Sequence, residues 1–348
     1  MRIGGHDVDV PRAVLVGVAL VVGVTLVYGG ATSVAAFGAF NPSWEGTADP
    51  RTIAGETGAD TEVATNTTAY DGYGNGTVAV IVAPDEPYEA AEVRHIAAFL
   101  ERGGTLLVAD RNGTAAALLE RVGATARPDG APLRDDRTHF RGPALPVATN
   151  VSEHPLTAGV ESLTLNHGTA VVAGDSTVLV ATSEFAYLDD DRNGEVDDDE
   201  SLASYPVATT ETVGAGRVVV VSDGSAFINV MADRPGNRAF ATNVFNGSDT
   251  VLIATSHGGD VPPVISALLT VRSSPPLQGV LVGLALVGIF AWHRRLYPRP
   301  AAPAVEGASD PDAVAASAVG RYPRMERGRV GRLMQGVKSL NSQPDDDE

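Results

Sequence analysis

Val78-Ala79-Val80-Ile81-Val82-Ala83 is an unbroken apolar run, the pattern of a strand buried on both faces rather than on one. Pro84-Asp85-Glu86-Pro87 follows and opens a helix that the spacing carries through Arg102. Val93, Ile96, Ala97 and Leu100 recur at helical intervals, and Gly103-Gly104 stops it. Thr105 to Ala109 reads as a second buried strand, and Asp110-Arg111-Asn112-Gly113 turns into a short helix over Thr114 to Val122. Strand, helix, strand, helix with tight loops predicts an α/β fold: a parallel sheet with right-handed crossovers, flanked by helices.

Outward from this core the pattern is less regular. Thr169 to Ala173 and Thr177 to Thr182 read as a hairpin around Gly174-Asp175, and Tyr205 to Thr210 as a further strand. Gly216 to Val221 is the strongest later strand, with Ser222-Asp223-Gly224-Ser225 leading into a helical turn. Asn237 to Phe245 reads as helix, Val251 to Thr255 as strand and Val264 to Val271 as helix. Residues 41–76, rich in Gly, Thr, Asp and Ala with little periodicity, read as a flexible linker to a domain spanning 77–272.

Two apolar runs bracket that domain. Ala13 to Phe40 carries no charge, and Leu277 to Trp292 is followed at once by His293, Arg294 and Arg295. A bilayer core of roughly 30 Å needs about 20 apolar residues per helix, so spans are expected at 13–36 and 276–293. Arg2 and Arg12 precede the first; Arg294, Arg295 and Arg299 follow the second. Arginine near both flanks puts residues 1–12 and 294–348 in the cytoplasm and the middle outside the cell. A cleaved signal peptide is the rival reading of the first run, with Thr32-Ser33-Val34-Ala35-Ala36 as the peptidase site. The tail is rich in Pro, Ala and Asp ahead of a basic stretch, Arg321 to Lys338, and reads as disordered.

The formal charge of -18 lies in the middle segment. Between Asn41 and Pro275 there are 33 acidic and 14 basic residues, an excess of 33 - 14 = 19 negatives. Lys338 is the one lysine. Abundant carboxylates with so little lysine resemble proteins adapted to high salt, where dense surface charge is screened. Nucleic acid is a poor partner for such a surface. Without cysteine there is no disulfide, zinc-thiolate site or thiol nucleophile. Asn-x-Ser/Thr sequons at Asn66, Asn75, Asn112, Asn150 and Asn246 all fall in the segment assigned to the outside.

Asp189-Asp190-Asp191-Arg192-Asn193-Gly194-Glu195-Val196-Asp197-Asp198-Asp199-Glu200 has the register of a calcium loop. Asp189, Asp191 and Asn193 take the first, third and fifth places, and Gly194 permits the sharp turn. Glu195 offers its backbone carbonyl, Asp197 a direct or water-mediated oxygen, and Glu200 a bidentate carboxylate. Its flanks read as extended, not as the two helices of an EF-hand. The expected Ca2+ role is therefore structural. The competing reading is a solvated acidic loop.

Catalytic candidates gather at the carboxyl ends of the strands, where open α/β sheets bind ligands. Asp110 as a general base, or His154, is the basis of an alternative reading as a metal-assisted hydrolase; His167 also falls in loop-like sequence. Capping accounts better for Asp110, Asp223 and Ser225. Neither a phosphate-binding loop nor a dinucleotide fingerprint is present.

Taken in order, Ile81-Val82-Ala83-Pro84, the amphipathic helix and Phe99 to Val108 resemble the early part of class I glutamine amidotransferase-like domains. His154 to Val160 and Gly216 to Asp223 resemble later landmarks of that group. Together with Arg234 to Phe240 and the acidic loop, the arrangement is most similar to an uncharacterised membrane family common in haloarchaea, the domain of unknown function 4350 family. The resemblance covers roughly 78–297. It implies a flavodoxin-like, amidotransferase-like sheet between two spans, and partners in a membrane complex, with a MoxR-type ATPase as the associated candidate. Amidotransferases need a cysteine nucleophile, which this chain lacks, so the resemblance implies a non-catalytic binding or scaffold module.

Overall fold

A computed structural model describes residues 10–258 and 261–296, together with 2–3, 6–7 and Arg332. The basic stretch of the tail otherwise lies outside the described residues. In chain order the main elements are α1 (Val10–Ala31), α2 (Asp49–Glu56), β1 (Asp60–Ala64), β2 (Thr77–Val82), α3 (Ala90–Glu101), β3 (Thr105–Ala109), α4 (Ala116–Val122), β4 (Asn150–Val151), β5 (Thr177–Ala181), β6 (Pro206–Val213), β7 (Gly216–Val221), α5 (Pro235–Phe245), β8 (Thr250–Ala254), α6 (Pro263–Ser273) and α7 (Pro275–Leu296). Helix α7 belongs to a separate unit of the chain that begins at Pro275.

The central sheet has eight strands in the order β1-β8-β2-β3-β7-β6-β5-β4. From β1 to β7 neighbours run parallel, and from β7 to β4 they run antiparallel. The sheet is therefore mixed, where the alternation of strands and helices predicts a parallel one. The reason is local: β6 returns into β7 through a tight turn at Gly214 (φ 60°), and a hairpin makes antiparallel neighbours.

Helices cover both faces. On one, Val80, Leu107, Val219 and Ile253 pack with Ile53, Phe240, Val244 and Phe245. On the other, Ile81, Leu106, Val218 and Val220 pack with Ile96, Phe99, Leu100 and Leu119. Alternate residues of one strand thus feed opposite cores, which is why these strands are apolar throughout. Helix α3 ends as the Gly-Gly pair predicts. The Gly103 amide (φ 85°) donates to the Leu100 carbonyl and the Gly104 amide to that of Phe99, a Schellman closure. A Cβ on Gly104 would lie 2.2 Å from the Phe99 ring, so the second glycine is demanded by packing.

Three expectations need correcting. Residues 41–76 are not a flexible linker. They carry α2 and β1, and β1 pairs in parallel with β8 some 190 positions later. Low periodicity hid this because β1 is an edge strand with only Ala64 fully buried, and its partner is remote in sequence. The guanidinium of Arg102 further fastens the 3-10 turn Thr67–Gly72 through the Tyr70 and Tyr73 carbonyls, each at 2.7 Å. The hairpin around Gly174 is absent as well: Val171–Val172 pairs with Arg127–Pro128, while β5 pairs with β6 and β4. Gly174 packs against Thr125, so the chain leaves one ribbon there and joins another sheet. Finally, α1 ends at Ala31, short of the expected limit at residue 36.

Both α1 and α7 are long and apolar enough to cross a membrane, and neither is buried against the protein. If 41–76 is part of the fold, Ile53→Ala, at a side chain with no exposed surface, lowers unfolding stability by about 2–5 kcal/mol. Denaturant titration followed by circular dichroism reads this directly; a tether predicts no change.

Candidate functional site

The acidic loop leaves a short ribbon, Ala186–Leu188 paired with Leu133–Asp135, and returns through a bridge between Ala186 and Ala203. Its flanks are extended, as read from the sequence. Within it, Asp189, Asp191 and Glu200 bring carboxylate oxygens within 4.8 Å of one another. Asp189 is fully buried, Asp191 exposed and Glu200 in between. The Gly194 amide (φ 85°) points to Asp189 Oδ1 at 3.3 Å, and Glu200 Oε1 accepts the Asp190 amide at 2.9 Å, closing the second and last positions on each other.

The other expected ligands are linked to this trio by hydrogen bonds. Asn193 Nδ2 donates to Asp191 at 2.9 Å and to Asp197 at 2.6 Å, while Asn193 Oδ1 accepts the Glu195 amide at 2.7 Å. That bond engages the Glu195 amide, not the carbonyl expected to face an ion, and Asp197 is tied to Asn193. Hard carboxylate oxygens crowded this way fit calcium chemistry. Two carboxylates at such a separation repel by a few kcal/mol at an effective dielectric of about 20. Part of that repulsion is offset by Arg134, whose Nε pairs with Asp189 Oδ2. Arg134 comes from the opposite strand of the ribbon, and no sequence signal ties it to the loop.

At the carboxyl end of the sheet, β3 runs into Asp110 and β7 into Ser222-Asp223, all without exposed surface. Asp110 Oδ1 accepts the Asn112 amide and Oδ2 the Ala115 amide, both at 2.8 Å. Asp110 is a cap for the turn into α4, and both of its oxygens are engaged. His154 lies elsewhere. It caps the 3-10 turn Pro155–Thr157 by accepting the Leu156 amide on Nδ1 at 3.0 Å. Burial, then Arg217 at the start of β7, lowers its pKa. The two residues sit toward opposite ends of β7, so the structure does not bring them together. His167 (φ 58°) is closer to the strand ends, and burial followed by Arg111 and Arg134 lowers its pKa.

A family model for a domain of unknown function, DUF4350, matches residues 39–245. The chain belongs to the DUF4350 family. The match begins in the loop after α1 and takes in α2 and β1, in agreement with their place in the fold. No curated protein sequence matches the chain. Among solved structures the chain is similar to the mmIFT52 N-terminal domain, at 16% identity over 52% of this chain and 80% of that one, with a TM-score of 0.40. It is also similar to a cytoplasmic protein, STM1381, from Salmonella typhimurium LT2, at 14% identity over 59% and 88% of the two chains, with a TM-score of 0.33. An exo-beta-1,4-mannosidase, Op5Man5, from Opitutaceae bacterium strain TAV5 matches at 14% identity over 47% of this chain and 24% of that one, with a TM-score of 0.28.

Two further groups mark the strand ends of this DUF4350 domain. After β8, His257 stacks on Tyr88 with ring centroids 4.1 Å apart, and its Nε2 meets Glu92 Oε1 at 2.8 Å. Glu92 Oε2 accepts the Glu89 amide at 2.8 Å, capping α3. Burial raises the Glu92 carboxyl, but the Glu89 amide and His257 outweigh it and the net pKa is lowered. Asp223 is the stronger case. Burial pushes its pKa from 3.8 to about 6, against the Asn166 and Ser225 amides, at 2.6 and 2.7 Å, and Arg111, which favour the ion.

A carboxyl with a raised folded-state pKa destabilises the fold as pH climbs through that value and contributes most stability below the unfolded value. Relative to Asp223→Asn, the wild type therefore gains stability as pH falls from about 7 to about 4. Thermal unfolding of both proteins across this range checks it; a difference that does not vary with pH refutes the assignment.

Proposed function

We propose that this chain is a membrane-anchored, extracytoplasmic DUF4350 module that binds or scaffolds other membrane proteins without turning over a substrate. The observation that carries the reading is the pair of unburied apolar helices, α1 and α7, on either side of a folded α/β domain. In water that much exposed apolar surface is unfavourable; in a bilayer it is the solvated state. The arginines flanking the two runs orient the domain outward. The sheet edge supports a non-catalytic role, since Asp110 and His154 act as caps in separate places and the chain has no cysteine.

Within this reading the acidic loop is a structural calcium site held by Asp189, Asp191 and Glu200, with Asn193, the Glu195 carbonyl and Asp197 as completing ligands. The ion would neutralise the clustered carboxylates and pin the ribbon that carries them.

Protease added to intact cells is expected to cut loops within 41–275 and to leave the tail beyond 297 untouched; the reverse pattern overturns the orientation. Calcium titration by calorimetry is expected to give binding heat for the wild type and none for Asp191→Asn/Glu200→Gln. Those two side chains are chosen because, unlike Asp189, neither is fully buried. At calcium about a hundredfold above its Kd, wild-type stability rises by about 2.7 kcal/mol, and equal heats in the two proteins remove the site.

A further inference from the structure

The segment that leaves α1 is built onto the domain. Its turns are closed by the Ser33 amide on the Phe40 carbonyl at 3.1 Å and the Phe37 amide on that of Glu45 at 2.9 Å. Phe37 is held in the left-handed region (φ 59°), an unfavourable place for an aromatic residue, where Thr47 Oγ1 donates to its carbonyl at 2.9 Å. Asn229, almost fully buried, then locks the loop in place. Its Nδ2 donates to the Asn41 and Ser43 carbonyls at 3.1 and 2.6 Å, and its Oδ1 accepts the Asp49 amide at 2.9 Å. Every hydrogen-bonding group of that amide side chain bar one acceptor lone pair is spent on this one junction.

So rigid a loop nevertheless presents apolar side chains to solvent: Val34 is 88% exposed, Trp44 63% and Val230, whose amide donates to the Trp44 carbonyl, 50%. Helix α6, which packs against α1, adds Val264 and Leu268 at 41% and 61%. The sequence here is also anomalous in charge. No Asp, Glu, Lys or Arg occurs from Ala13 to Trp44 or from Val261 to Val271, in a chain whose middle segment carries 33 carboxylates. Val34 is three residues beyond the end of α1, and so within about 10 Å of it along the chain.

Resting on the membrane-anchored reading above, we propose that this apolar face, centred on Val34 and Trp44, seats in the headgroup region of the bilayer and docks the domain against the lipid surface. The occupant is lipid because the patch is continuous with the end of an apolar helix of spanning length. Its nearest carboxylate, Glu45, is half-buried, and the patch places a tryptophan where amphipathic rings partition best. Asn229 is a positioning residue for this contact: it holds the loop while the loop holds the ring.

The chain contains two tryptophans, Trp44 and Trp292, so each variant lacking one reports on the other. The full-length protein is placed in phosphatidylcholine vesicles, with and without lipid brominated near the headgroup end of its acyl chains, and tryptophan emission is recorded. In Trp292→Phe the expected result is loss of Trp44 emission in proportion to brominated lipid, comparable with the loss of Trp292 emission in Trp44→Phe. If Trp292 is quenched and Trp44 is not, the docking face is overturned and the membrane anchor stands. If neither is quenched, the anchor falls and the docking face falls with it.

Discussion

Strands that are apolar on both faces leave their polar neighbours only the strand ends. The central strands β2, β3 and β7 bury alternate side chains in two cores, so each must hand the chain to a helix or turn without stranding a backbone amide. Asp110 and Asp223 meet that need at the ends of β3 and β7, and Glu92 does so at the start of α3. The residue types that sit where an α/β enzyme keeps its chemistry are here occupied in closing the fold. Burial makes the arrangement costly: Asp223 has a pKa raised to about 6, because two amides and Arg111 do not offset the loss of water.

The same constraint decides what was legible in the sequence. Runs such as Val78 to Ala83 and Gly216 to Val221 announce buried strands because both faces demand apolar residues, and the Gly103-Gly104 stop is read from local backbone chemistry alone. Strand β1 is not legible, because an edge strand buries little and its pairing with β8 spans most of the domain. The misread hairpin at Gly174 has a similar origin. A turn signal shows that the chain bends there, not which strand each arm then meets. His154 illustrates the limit for sites, since a histidine in loop-like sequence has no address until the chain is folded.

In the acidic loop the oxygen-bearing residues are legible one by one, and three of them, Asp189, Asp191 and Glu200, bring carboxylate oxygens within 4.8 Å of one another. Arg134 is not legible, because it reaches the loop across a ribbon from 55 positions away. Its guanidinium offsets the charge on the buried carboxylate, and that changes the meaning of the cluster. In the structural-site reading proposed above, an ion would share the neutralisation of this cluster with Arg134.

Attachment to a bilayer raises a separate electrostatic matter. A domain with 19 excess negative charges is repelled by anionic headgroups at low ionic strength, and the repulsion is confined to about 3 Å once salt approaches 1 M. The loop after α1 carries a single carboxylate, Glu45, and so contributes little to this repulsion. Hydrophobic contact, unlike charge, is not weakened by salt and is strengthened by strongly hydrated anions. In the membrane-anchored arrangement proposed above, this rigidly fastened apolar face would stay against lipid across a wide range of salt. In that arrangement Asn229 would fix orientation as well as stability, since a flexible exit would let the acidic surface turn freely above the bilayer.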